Sequence, residues 1–262
     1  MYSFDYERPS GVSDAAGTIG EEDKFLAGGQ SLLPTLKLRL AQVDKLVDLG
    51  GIADLKGISV SGGEVSIGAM TTHADVANSA DVKNAIPALA DMAGNIGDAQ
   101  VRNRGTIGGS IANNDPAADY PSALVALGAT VHTNSRSIAA DAFFVDLFET
   151  ALEENEIVTK VTFPVPEKAA YAKFPNPASR FALVGVFVAQ TSGGPRVAVT
   201  GAGPCVFRQS DMEAALAGNF SGGAVSGIQT DASGLNSDIH ASADYRAHLI
   251  SVMASRAIDA AG

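Results

Sequence analysis

Two glycine pairs, each followed by a hydroxyl residue and a helical pattern, set the terms on which this chain can fold. The first lies in Ala27-Gly28-Gly29-Gln30-Ser31 and the second in Thr106-Ile107-Gly108-Gly109-Ser110. A Gly-Gly pair lacks the Cβ atoms that block close approach or positive φ, so its backbone N–H groups are free to converge on an anion. A helix beginning directly after it adds unsatisfied N–H groups and the positive end of its dipole. One such loop suffices for a phosphate; two facing each other would clamp a diphosphate, with Ser31, Thr106 and Ser110 adding hydroxyls. Taken singly, either loop reads first as a tight turn.

Other phosphate motifs fit less well. No G-x-x-x-x-G-K-[ST] is present, which argues against a P-loop nucleoside triphosphatase. Gly201-Ala202-Gly203 starts a dinucleotide fingerprint but continues Pro204-Cys205-Val206, in a strand-rich region, so a doubly wound nucleotide fold is not expected. Cys205 is the only cysteine. The chain therefore builds no internal disulfide, no Cys-ligated iron–sulfur cluster and no zinc site of the usual kind, and any such cluster sits on a partner. His73, His132, His240 and His248 lack the close helical spacing of a metal site and read as ordinary surface or core residues.

A formal charge of -11 opposes capture of a phosphate backbone, so nucleic acid is not an expected partner. No run reaches the roughly 18–20 apolar residues of a membrane helix, and the opening MYSFDYERPSG has no basic segment followed by an apolar one. The expectation is a cytoplasmic protein without a transmembrane segment. At 262 residues and 46% hydrophobic, the chain can bury the core of one large or two modest domains.

The patterning predicts an α+β protein. Leu32, Leu33, Leu36 and Leu40 recur at helical spacing across residues 31–40, and residues 45–49 read as a short strand. GISVSGGEVSIGA (57–69) alternates about Gly62-Gly63, as a hairpin does. Helices are expected at 72–79, 85–93 and 117–127, and strands at 129–133 and 156–163. The Pro-rich stretch 164–177 marks a candidate boundary. Beyond it, 181–190 and 196–202 flank TSGGP as an antiparallel hairpin, with helices at 211–217 and 243–260 placed to cover one face.

The two glycine segments, with their flanks LLPTLKLRL and IANNDPAADYP, closely resemble the two FAD-binding segments of the medium subunit of molybdenum hydroxylases, above all the carbon monoxide dehydrogenase type. FPNPASRFALVGV (174–186), VAVTGAG (197–203) and SDIHASADYRAHLI (237–250) extend the resemblance over essentially the whole chain. It implies a vanillyl-alcohol oxidase (PCMH)-type FAD-binding domain over residues 1–165, made of two α/β subdomains (about 1–55 and 56–165). A smaller C-terminal domain with an antiparallel sheet and helices follows over 166–262.

Carried over by motif, the diphosphate contacts are Ala27, Gly28, Gly29, Gln30 and Ser31, with Thr106, Ile107, Gly108, Gly109 and Ser110. Ile96 matches an apolar cofactor-lining position, Asp119 an acid contacting the adenosine-side hydroxyls, and Val158 and Lys173 further contacts. Each has a plainer reading: Ile96 and Val158 as core, Asp119 as a helix cap, Lys173 as surface charge. Phe181 stands where some relatives place a tyrosine over the flavin. It could stack there without a phenolic hydrogen bond, or serve as a core residue of the first C-terminal strand.

The resemblance implies an oxidoreductase subunit without catalytic residues of its own for the organic or gaseous substrate. Its partners would be a large subunit with molybdopterin and a small one with two 2Fe–2S clusters, in a dimer of heterotrimers. Electrons would pass from molybdenum through the clusters to FAD and an external acceptor. A free-standing flavoenzyme of the same fold and a non-enzymatic protein-interaction domain are the alternatives.

Overall fold

A computed structural model describes residues 1–262. Strands β1 (Asp5–Glu7), β2 (Lys24–Leu26) and β3 (Lys45–Asp48) form a parallel three-stranded sheet in the order β1-β3-β2. Val47 and Leu46 of its central strand are buried on opposite faces, Val47 with Ala15, Leu49 and Ile52, and Leu46 with Leu36 and Val43. The helix predicted over 31–40 spans only Leu32–Lys37. Arg39 turns out of it with φ +58, leaving Leu38 and Leu40 exposed. Helical spacing continued past the point where the backbone stops being helical.

Strands β4 (Ile58–Ser61) and β5 (Glu64–Gly68) make the expected hairpin. Ser61 pairs with Glu64, and Gly62 and Gly63 both take positive φ, as a two-residue type I′ turn requires. β6 (Thr130–Thr133), β7 (Ser137–Ala139), a small hairpin of β8 (Phe144–Asp146) with β9 (Glu149–Thr150), and β10 (Val158–Pro164) follow. Five of these form a second sheet in the order β4-β5-β10-β6-β7. The helices Pro87–Gly94 and Tyr120–Leu127 help build its core, where Leu89, Met92, Leu124, Val131, Val161 and Phe163 are fully enclosed.

The Pro-rich stretch is largely strand: β11 (Lys168–Pro175) opens the third sheet, followed by β12 (Ala182–Thr191), β13 (Gly194–Thr200) and β14 (Phe207–Arg208) in that spatial order. β12 reads ALVGVFVAQT, apolar on both faces, because both faces are covered. Phe187 and Ala189, with Ala198 of β13, enter the core of the five-stranded-sheet region. Val184, Val186 and Val188, with Val197 and Val199, pack instead on Leu249, Ile250 and Met253 of the helix Ala243–Ala261 and Met212 of the helix Ser210–Gly218. The period of two thus divides one hairpin between two cores. Each such enclosed aliphatic or aromatic side chain contributes about 1.5–3 kcal/mol relative to exposure, which binds the C-terminal sheet firmly to what precedes it.

Candidate functional site

The first glycine segment leaves β2 and turns sharply before the helix Leu32–Lys37. Gly29 has φ +74, a value L-residues rarely adopt, and its carbonyl accepts from Leu33 N at 3.1 Å. The backbone N–H groups of residues 28–31 donate to no acceptor within the protein. Four successive free donors in one turn are groups of the kind that can receive an anion.

The second segment is built differently. Its glycines lie inside the first turn of the helix Ile107–Asn113, not ahead of it, and Thr106 is the N-cap, its Oγ1 accepting from Gly109 N at 3.1 Å. Ile107 N donates to Thr71 O, Gly108 N to Ala69 O at 2.8 Å, and Ser110 N to Thr106 O. The N–H groups of this pair are therefore spent on the fold. What the segment offers a ligand is the Thr106 and Ser110 hydroxyl protons and closeness of approach. A Cβ on Gly108 would lie 2.6 Å from the Ala69 methyl, and one on Gly109 3.1 Å from the Ala27 methyl. The two segments do face each other, but as unequal halves: one supplies backbone donors, the other shape and hydroxyls.

Between them runs a cleft of about 570 Å³, within the roughly 300–1,000 Å³ of small-molecule sites. Ile96 and Val158 line its walls, and Asp119 and Phe181 also border it. Of the residues expected from sequence, Ile107 and Lys173 do not reach its surface. The Ile107 side chain is fully enclosed in the core behind the glycines, because its place in the helix points it inward.

Asp119 holds the N-cap position of its helix, but its side chain makes no capping bond. Its carboxylate instead receives the Tyr171 hydroxyl at 2.5 Å and Lys173 Nζ at 3.0 Å, both from β11. Lys173 also donates to Asn95 O at 2.9 Å, so it is a buried counter-ion, not surface charge. Burial raises the Asp119 carboxyl above its ordinary value, against the opposing pull of Lys173 and Tyr171.

At the mouth, residues 176–181 form a closed loop. Asn176 N donates to Phe181 O, Arg180 N to Asn176 O, and Asn176 Oδ1 accepts from Ala178 N and Ser179 N. Arg180 sits at φ +64, and Phe181 emerges 47% exposed before β12 begins. The core alternative for Phe181 is thereby overturned, since the Arg180 turn sends the ring outward.

Other residues in and around the cleft lie outside the contacts expected from the sequence. Arg102 Nη1 donates to Ile96 O and Gly97 O at 3.1 Å, fixing the turn that carries Ile96. On the rim, Glu156 accepts Arg136 Nε at 2.9 Å and Nη2 at 2.8 Å, with Thr133, Ser135 and Glu153 N also bonding to it. These contacts, Arg136 foremost, lower the Glu156 carboxyl to about 2. His73, read from spacing as ordinary, lies buried in the cleft wall. No sequence motif marks these positions: Arg136 lies 20 residues from Glu156, and the Arg102 bonds to carbonyls five and six residues back follow no recognised spacing.

Residues 2–166 match the family described as FAD binding domain in molybdopterin dehydrogenase. The carbon monoxide dehydrogenase medium chain of Hydrogenophaga pseudoflava is 36% identical over 277 residues, covering 98% of this chain and 96% of that one. The nicotine 6-hydroxylase medium subunit of Paenarthrobacter nicotinovorans is 36% identical over 273 residues, with 98% and 96% covered. Among solved structures, the Hydrogenophaga pseudoflava carbon monoxide dehydrogenase lacking the Mo-pyranopterin moiety superposes with a TM-score of 0.90 at 37% identity, covering 98% of this chain and 96% of that one. Quinoline 2-oxidoreductase from Pseudomonas putida 86 gives 0.90 at 28% identity, with 99% and 97% covered.

Proposed function

The chain belongs to the FAD-binding subunits of molybdopterin dehydrogenases, and from that premise we propose that it is the FAD-carrying electron-transfer subunit of a molybdenum hydroxylase most like carbon monoxide dehydrogenase. The observation that carries the reading is the run of four unpartnered N–H donors at residues 28–31, opposed by the Gly108-Gly109 pair, where a Cβ would press on the Ala69 and Ala27 methyls. These residues fit a diphosphate: neutral donors in a concave turn, hydroxyls opposite, and no carboxylate among them. When bound, FAD would supply a carrier for electrons arriving from a partner's molybdopterin through 2Fe–2S clusters and leaving to an external acceptor.

The chain's own task is to bind and orient. Residues 27–31 hold one side of the diphosphate, and Thr106, Gly108, Gly109 and Ser110 approach the other, with Ile107 anchoring that segment in the core. Ile96 and Val158 give apolar walls. Asp119, fixed by Lys173 and Tyr171, presents a carboxylate edge to ribose hydroxyls, while Phe181 covers the mouth as an apolar plate. Catalytic groups for the organic or gaseous substrate belong to a large molybdopterin subunit, joined by a small iron–sulfur subunit in a dimer of heterotrimers. Residues 1–165 serve as the cofactor domain and 166–262 as the smaller domain that closes it. No helix is long and apolar enough to cross a membrane, and we place the assembly in the cytoplasm. Titration of the purified chain with FAD tests the reading.

A further inference from the structure

A buried histidine stands in the cleft wall beside the second glycine segment. His73 follows its helix cap Thr72 directly, and its backbone N–H donates to Gly105 O at 2.9 Å, beside the Thr72–Thr106 bridge. The ring thus rides on the strut that pins the second glycine segment. It is 4% exposed and lines the cleft. Nδ1 is sealed inside without a hydrogen-bond partner. The Nε2 edge lies against Gly105, where a Cβ would come within 2.6 Å. Gly105, which also lines the cleft, leaves room for that edge where any side chain would collide with it.

Behind the imidazole stands Tyr120, fully buried, its ring centroid 5.4 Å away at an interplanar angle of 42°. Its hydroxyl is also buried without a partner. Buried polar atoms are rarely left unpaired, and here two orphans of complementary sense occupy neighbouring rings. A phenol O–H donates; the unprotonated nitrogen of a neutral imidazole accepts. Burial keeps both groups neutral: it raises the Tyr120 hydroxyl far above its usual range, and lowers His73 to about 4, with Arg102 assisting.

We infer that His73 is a further cofactor-binding residue: the Tyr120 hydroxyl, through one buried water, engages Nδ1 and fixes the Nε2–H tautomer, and Nε2 donates into the cleft to an oxygen of the dinucleotide's phosphate–polyol chain. The tautomer of an imidazole is set by what its other nitrogen bonds, and a water bridging two buried polar groups is an ordinary part of a protein interior. The arrangement gives the second glycine segment what its spent N–H groups do not, an uncharged N–H donor on its own side of the cleft. This inference rests on the cleft holding FAD.

Three variants and one spectrum test it. His73→Leu keeps bulk without a donor, His73→Gln restores an N–H, and Tyr120→Phe removes only the hydroxyl. FAD affinity should fall about tenfold to a hundredfold in His73→Leu, the effect of a hydrogen bond to a charged group. It should recover largely in His73→Gln, and fall severalfold in Tyr120→Phe without a lower Tm. Long-range 15N–1H spectra of the wild-type chain should show the Nε2–H tautomer at His73, its Nε2 resonance moving when FAD is added. Wild-type FAD affinity in both His73→Leu and Tyr120→Phe, or an Nδ1–H tautomer, would overturn the inference and leave the flavin reading intact. A wild-type chain that takes up no FAD would remove both.

Discussion

The α-carbon of Gly28 rests against the backbone carbonyl of Arg104, so closely that a β-carbon at position 28 would fall on that oxygen. The contact brings the two glycine segments together, and it makes Gly28 a structural as well as a cleft-lining residue. Gly28→Ala should displace the first segment, with an overpacking cost of about 1–3 kcal/mol, lowering both Tm and FAD affinity. Gly109→Ala meets only the Thr106 hydroxyl at 3.0 Å and the Ala27 methyl at 3.1 Å, and should lower affinity with less effect on Tm. Thermal melts and FAD titrations of both variants check the ranking; equal melts would contradict it.

The Asp119–Lys173 pair should behave as a coupled unit. Removing one partner of a buried ion pair strands the other, at about 3–5 kcal/mol. Asp119→Asn and Lys173→Met should each destabilise strongly, and the double variant less than the sum of the two. A double-mutant cycle in urea measures this; additive losses would mean that the charges do not interact. Tyr171→Phe should weaken FAD binding through Asp119, its hydroxyl having no other hydrogen bond.

Acid should destabilise the chain in two separable windows. His73 falls from 6.5 to about 4 on folding, so between those values the unfolded chain holds a proton that the folded chain lacks. Stability is therefore lost as pH drops from about 6.5 to about 4, by about 3 kcal/mol. His73→Leu should flatten that window.

Glu156 behaves as a depressed carboxylate, moving from 4.5 to about 2 through Arg136 and its other donors. Its contribution is present above about 4.5 and disappears as pH falls toward about 2. Glu156→Gln should remove this lower step and leave the upper one. Denaturation midpoints measured from pH 7 to 2 separate the two groups.

Phe181 should matter to the cofactor and not to the fold. With 47% of its surface exposed and no place in either large core, Phe181→Ala should leave Tm within about a degree, since surface substitutions lie within about 0.5 kcal/mol. Fluorescence of bound FAD should rise as an aromatic quencher is lost. Unchanged fluorescence would remove Phe181 from the flavin's surroundings.

How far the sequence carried the reading depended on where each residue's partner lay. The 57–69 hairpin was legible because turn and alternation are local, and β12–β13 because its flanks are. The helix at 31–40 was overextended because leucine spacing does not show the Arg39 turn. The second glycine pair was visible, but not that its N–H groups are taken by the Ala69 carbonyl, distant in the chain, and the Thr106 hydroxyl. Tyr171 and His73 carried no local signal at all: one acts across 52 residues on Asp119, and the other stands 47 residues from Tyr120 in the chain.

The central claim is that the cleft between the glycine segments takes up FAD by its diphosphate. The most direct test is an equilibrium absorbance titration of the purified chain with FAD and, in parallel, with FMN, which lacks the second phosphate and the adenosine. The account predicts saturation at about one FAD per chain, with FMN bound at least tenfold more weakly and Gly28→Ala impaired toward FAD. No saturable FAD binding, or equal affinity for FAD and FMN, would contradict it.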